Sequence, residues 1–232
     1  MATFAVLKSR VSKTLGLDET ASGTEDVLVG YELNDAVRDF LLRTHTNVNR
    51  SETTIAAATD DSEISASVLA ITDLHVTGAS AQIWIPQRVS PATILQYRRV
   101  SAASAGGSAR FFALNGSNLL MFYPAVEIGD VITMYYVPVP TEMSSASNDP
   151  AAETWGGIPV EYHPALIQYA CWKMADYDDD GSSQMGLQYQ QQYLRLVQDA
   201  KRWNRLKGGR VLGKAVLADR RVLRTSRSQD LW

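Results

Sequence analysis

The apolar residues of this chain change their period twice, and that switch constrains the fold more than any other feature. Phe4, Leu7, Val11 and Leu15 recur at helical spacing, with Gly16 as a stop signal. A second helix is expected after Ser22, which stands three residues before Glu25 as in a capping box. Its apolar stripe is Val29, Leu33, Ala36, Val37, Phe40 and Leu41. After Asn47 the pattern becomes short runs of Ile, Val, Phe and Tyr, broken by Gly, Asn, Asp, Ser and Pro, from Thr53 to Val137. Helical spacing returns beyond Pro159, a residue suited to a first helical turn. One stripe there holds Leu166, Ile167, Ala170, Cys171, Met174 and Tyr177. The next holds Tyr189, Tyr193, Leu196, Val197, Ala200 and Trp203, with Gly208-Gly209 as the expected end.

Each helix pair alone buries too little surface to stand, because isolated helices are marginal in water. The economical solution packs all four together and makes the strand block an insertion. The expected fold class is therefore α+β: a four-helix domain with an inserted antiparallel β-sandwich or barrel-like domain and an extended C-terminal tail. The boundaries are 1–47 and 148–207 for the helical domain, 48–147 for the insertion and 208–232 for the tail. Within the insertion, Asn115-Gly116 predicts a hairpin between Arg110–Leu114 and Leu119–Tyr123, with both turn residues at positive φ. Gly129-Asp130 predicts a turn before Val131–Val137, and Ala102–Ser108 predicts an exposed loop. Both strands flanking Asn115-Gly116 are apolar on both faces, so one face is expected to meet a neighbouring copy.

The chemistry-bearing residues point away from catalysis. His45, His75 and His163 fall in different elements, and no HExxH, CxxC, Walker, GxGxxG or nucleophile-elbow motif occurs. The expectation is a protein that is not an enzyme. Asp176, Asp178, Asp180 and Gly181 open like a calcium loop, but Leu187 stands where a bidentate Glu is required. A solvated loop is expected there, with no metal and no cofactor. Cys171, the only cysteine, sits on an apolar stripe between Ala170 and Trp172 and reads as a buried small hydrophobe, not a nucleophile served by His163. A single cysteine also forbids an intrachain disulfide. No apolar run approaches the roughly 20 residues of a bilayer span, and Lys8, Arg10 and Lys13 break any signal-peptide pattern. No membrane partner is expected.

The net charge of −3 hides a polarity. From Lys201 onward ten basic residues face only Asp219 and Asp230, a local +8, which leaves −11 for the remainder. The tail carries apolar pairs, Val211-Leu212, Val216-Leu217, Val222-Leu223 and Leu231-Trp232, with Arg220, Arg221 and Arg224 between them. A disordered tail would be poorer in apolar residues. Regular anchors with positive charge are what an extended docking peptide needs. The alternative is a short fifth helix packed on its own domain. Nucleic acid is a weaker partner for this tail, because no aromatic platform accompanies the arginines.

Several stretches resemble the head-to-tail adaptor proteins of tailed bacteriophages, the ring subunits beneath the portal. Val27–Phe40, with Leu33-Asn34-Asp35-Ala36, is similar to that family's second helix. Asp130–Pro140 resembles the last strand leaving its β insertion. Ile158–Ala170, opened by Pro159 and His163, resembles its third helix, and Tyr189–Trp203 its fourth. The resemblance implies a ring, usually of twelve copies. That ring would dock on the portal protein through the C-terminal tail and extend the channel for genomic DNA without sequence-specific binding. It would also carry tail or nozzle proteins. It implies a place at the head–tail interface of the virion, with assembly in the host cytoplasm. Other readings are a head-completion or stopper protein, or a module that binds glycan or host surface by stacking on Trp84, Tyr97 or Tyr123.

Overall fold

A computed structural model describes residues 2–17, 24–55, 59–64, 67–78, 80–100, 109–116, 118–178 and 184–225, without the side chains of 24, 59, 60, 177, 178 and 206–225. Ser22 and Ala102–Ser108 lie outside the described residues. The protein is mixed α/β, with helices and largely antiparallel sheets. It divides into two compact units, one of residues 1–46, 144–148 and 159–232, the other of 47–143 and 149–158.

The helical unit holds α1 (Phe4–Leu15), α2 (Thr24–Thr44), α4 (His163–Asp178) and α5 (Gln184–Thr225). Helix α4 packs against each of the other three. Helix α1 ends as its sequence predicts, because Gly16 takes φ 72°, a left-handed conformation that glycine adopts without steric cost. Its open N-terminal amides are satisfied from outside the helix: Phe4 N–H donates to the Asn148 carbonyl at 2.7 Å and Ala5 N–H to Ala146 at 3.2 Å. The stripe of α2 is buried in full, with Val29, Leu33, Ala36, Val37, Phe40 and Leu41 at 2% exposure or less. Burial of each large side chain among them contributes roughly 1.5–3 kcal/mol. Leu166, Ile167, Ala170, Cys171 and Met174 of α4 are buried likewise. Pro159 precedes a short 3-10 turn, Val160–Tyr162, which leads into α4.

The second unit contains eight described strands in two four-stranded sheets. One sheet orders β1 (Asn49–Thr54), β8 (Val131–Pro138), β3 (Val68–Thr77) and β4 (Ile83–Trp84). The other orders β2 (Thr59–Glu63), β7 (Leu119–Val126), β6 (Phe111–Asn115) and β5 (Gln87–Arg88). Residues alternate along β6 and β8, register shifts reset the alternation in β3, and Ile71, Leu74, Val76, Phe112, Leu120, Phe122, Ile132 and Met134 from both sheets join one apolar core. All pairings are antiparallel except β5 with β6, which is parallel, so the expected purely antiparallel insertion is corrected at that edge.

Three further expectations are corrected. The hairpin forms, but Asn115 remains in the strand opposite Leu119, and Gly116, at φ 68°, supplies the left-handed position. Helix α3 (Pro91–Val100) stands inside the expected strand block. It covers the outer face of β6 and β7, where Ile94 packs with Ala113 and Met121 and is flanked by Val89, Phe111 and Tyr123. The second apolar face of that hairpin therefore meets a helix of its own chain, not a neighbouring copy. Finally, α5 runs without a break through Gly208-Gly209 to Thr225, so the backbone expected to be extended is helical there. Two glycines cost only about 1 kcal/mol each relative to alanine, and the Arg, Leu, Lys and Ala around them favour helix.

Candidate docking site

Helix α5 is seated by its first half. Tyr193, Val197 and Ala200 are buried against the helical unit. The Tyr193 hydroxyl donates to the Asp39 carboxylate of α2, and the Arg43 Nε donates to the same carboxylate at 2.6 Å. Burial, followed by that hydrogen bond, holds the Tyr193 phenol well above its ordinary range. Asn204 Nδ2 donates to the carbonyls of Thr44 at 3.0 Å and His45 at 2.7 Å. It thereby caps the end of α2, where His45 turns to φ 52°. Trp203 meets Tyr162 edge-on, with ring centroids 6.1 Å apart. These contacts fix the point from which α5 continues.

The predicted docking residues lie on that continuation. Val211, Leu212, Val216, Leu217, Arg220, Arg221, Val222, Leu223 and Arg224 all fall within helical backbone. Leu231 and Trp232 lie outside the described residues. Helical register regroups what sequence reading took as adjacent pairs. Positions 211, 215, 218 and 222 and positions 212, 216 and 223 form two apolar rows, with the acidic position 219 between them. Positions 210, 214, 220, 221 and 224, all basic, share the other side, and position 217 falls among them.

The other singled-out residues are dispersed. Cys171 is buried on α4, and burial pushes its thiol up to about 12 against an opposing hydrogen bond with Thr14. It is protonated at neutral pH and unsuited to nucleophilic attack. Asp176 and Asp178 belong to helix α4, while Asp180 and Gly181 lie outside the described residues. Among the described residues no three His, Cys, Asp or Glu side chains come together as metal ligands. Tyr97 packs on Phe111 and Tyr123 at 5.2 and 5.5 Å, which engages two of the three rings considered for stacking, and the third, Trp84, packs against the core of the two sheets. Sequence reading missed Asn204 altogether. The Asp39–Arg43 pair was visible as an i, i+4 pair of opposite charge.

A helical unit interrupted by a β unit and prolonged by a long basic helix defines a mixed α/β protein built on two bodies. The family model of the SU10 adaptor proteins matches residues 2–213. The chain belongs to that family, a structural one, in keeping with its resemblance to phage head-to-tail adaptors. A phage structural adaptor has its place in the virion. Val211 and Leu212 fall inside the match, and the docking residues from Val216 onward fall beyond it. No curated protein matches the chain. No described helix is long and apolar enough to cross a membrane.

Proposed function

We propose that the chain is the ring subunit of a phage head–tail junction: a four-helix body with an inserted β-sandwich, docked on the portal protein by the end of α5. In this reading about twelve copies of the 25.5 kDa chain form a ring of about 306 kDa. The ring prolongs the channel through which genomic DNA passes and carries tail or nozzle proteins on its far side. The reading rests chiefly on the family match over residues 2–213. The charge polarity supports it, since a basic, apolar helix end suits an acidic partner surface.

Truncation after Lys207 tests it. The seat of α5 at Tyr193, Val197, Ala200 and Asn204 is upstream, so the shortened chain is expected to fold and to lose portal attachment. Apolar anchors should outweigh single charges, because burying a Leu or Trp contributes roughly 1.5–3 kcal/mol and an exposed ion pair roughly 0–1 kcal/mol. Leu223, Leu231 and Trp232 replaced together by Ala should therefore weaken docking more than Arg220→Ala or Arg224→Ala. Co-sedimentation with purified portal, with circular dichroism as a folding control, gives the answer. A folded truncation that binds portal normally would reject the docking role.

A further inference from the structure

The segment 74–126 contains no Asp or Glu, yet it holds Arg88, Arg98, Arg99 and Arg110. On either side the chain is acidic, with a formal −6 over 1–73 and −9 over 127–200. An acid-free stretch of this length is a built asymmetry, and the fold shows where it surfaces. It takes in the end of β3 and β4 in one sheet, then β5, α3, β6 and β7, three strands of the other sheet and the helix laid upon them.

Arg98 is engaged internally. It donates to the Asp61 carboxylate at 2.7 Å and to the Phe122 carbonyl at 3.2 Å, which clamps α3 across β2 and β7. Arg88, Arg99 and Arg110 are exposed, and none of the three forms an ion pair among the described residues. Helix α3 turns Ile94 inward and leaves Leu95 at 46% and Val100 at 81% exposure beside Arg99. Next to it in sequence, the sheet-edge strand β5 carries exposed Arg88, with exposed Ile85 two residues before the strand, and Gln87 N–H donates to the Arg110 carbonyl at 2.7 Å. Solvent-facing Val, Leu and Ile among arginines, with no lysine and no acid, is the composition of a protein interface. A surface for the phosphate backbone would have little use for the exposed aliphatic side chains.

We infer that the outward row of α3 and the adjoining β5 edge form the contact to a second copy of this chain, received by that copy's acidic surface. The inference deepens the ring reading and rests on it. Charge complementarity selects the occupant: apart from Asp61, which pairs with Arg98, the charges of this face are basic, while the remainder of the chain up to residue 200 is strongly acidic. Such a contact joins two different surfaces of identical chains, and a heterologous contact of this kind generates a closed ring when its rotation closes. Arginine contributes specificity and encounter rate, and Leu95 and Val100 contribute buried apolar area.

The test counts copies bound per portal ring against chain concentration by mass photometry, with full-length protein. Wild type is expected to fill the ring cooperatively. The triple variant Arg88→Glu, Arg99→Glu, Arg110→Glu should bind as separate copies and need at least about tenfold more protein for half-occupancy. Val100→Asp, at an exposed helix end, should act in the same direction without threatening the fold, and decides the matter if the triple variant misfolds. Variants with wild-type melting that fill the ring as cooperatively as wild type would overturn the inference and leave the ring reading standing. A wild-type chain that stays monomeric with and without portal would overturn both. Variants that lose retention on duplex DNA but still assemble would assign the face to nucleic acid instead.

Discussion

Asn204 offers a sharp test of how α5 is held. Its amide donates to two carbonyls, Thr44 at 3.0 Å and His45 at 2.7 Å, where α2 has run out of its own amide donors. Asn204→Ala leaves both acceptors short of a partner in a part-buried setting. A net intramolecular hydrogen bond contributes roughly 0.5–1.5 kcal/mol, so the pair should be worth about 1–3 kcal/mol. Asn204→Leu keeps the side-chain bulk without a donor and should cost a similar amount, which separates hydrogen bonding from packing. Asn204→Asp should be worse, since a carboxylate would face two carbonyl oxygens. The assay is urea unfolding followed by circular dichroism at the helical band, paired with amide exchange at the end of α2. Exchange there should accelerate in all three variants. If Asn204→Ala and Asn204→Leu both fall within about 0.5 kcal/mol of wild type, α5 is not held at this point and the capping argument fails.

Alkaline pH should unfold the helical unit early. Burial pushes the Cys171 thiol from 9.0 up to about 12 and the Tyr169 phenol from 10.0 up to about 12, and the Tyr193 phenol also lies above its ordinary value. Each group binds its proton more tightly when folded, so its contribution is complete below the unfolded value and is lost as pH climbs through roughly 9–12. Thermal melts should be flat from these groups at neutral pH and fall above pH 9, and Cys171→Ala should move the onset nearer 10. In the β unit, a Cβ at Gly78 would lie 2.4 Å from the Trp84 ring. Gly78→Ala should therefore destabilise by about 1–3 kcal/mol through overpacking, and an unchanged urea midpoint would show that the ring moves freely.

The helices with clean apolar stripes were legible because burial and spacing agree. Every stripe residue of α2 is buried, and Gly16 stops α1 in the left-handed conformation its position suggested. Helix α3 was hidden by composition. Ile94, Tyr97 and Val100 are residues that strands favour, and they sit among true strands. The available signal was Ser90-Pro91, a cap residue followed by proline at the first helical position. The Ser90 hydroxyl does accept from the Thr93 amide at 3.2 Å. At Gly208-Gly209 the error ran the other way. Glycine permits a stop but does not impose one, and no residue there needs the left-handed region for the helix to continue.

The missed helix also changes where a neighbour belongs. Apolar residues on both faces of β7 need two covers, and sequence alone offers no way to tell an internal cover from a second copy. The alternation along β7 resolves it: Leu120, Phe122 and Val126 enter the core shared by the two sheets, while Met121 and Tyr123 turn to the face that α3 covers. Once α3 is in place, the strand face is covered and exposed apolar surface remains on α3 itself, at Leu95 and Val100, with exposed Arg99 beside Val100 in sequence. A lateral contact on a bare strand face would have been apolar and indifferent to salt. The contact inferred from α3 is mixed, so ring filling on the portal should slow as ionic strength rises, with the larger effect on association.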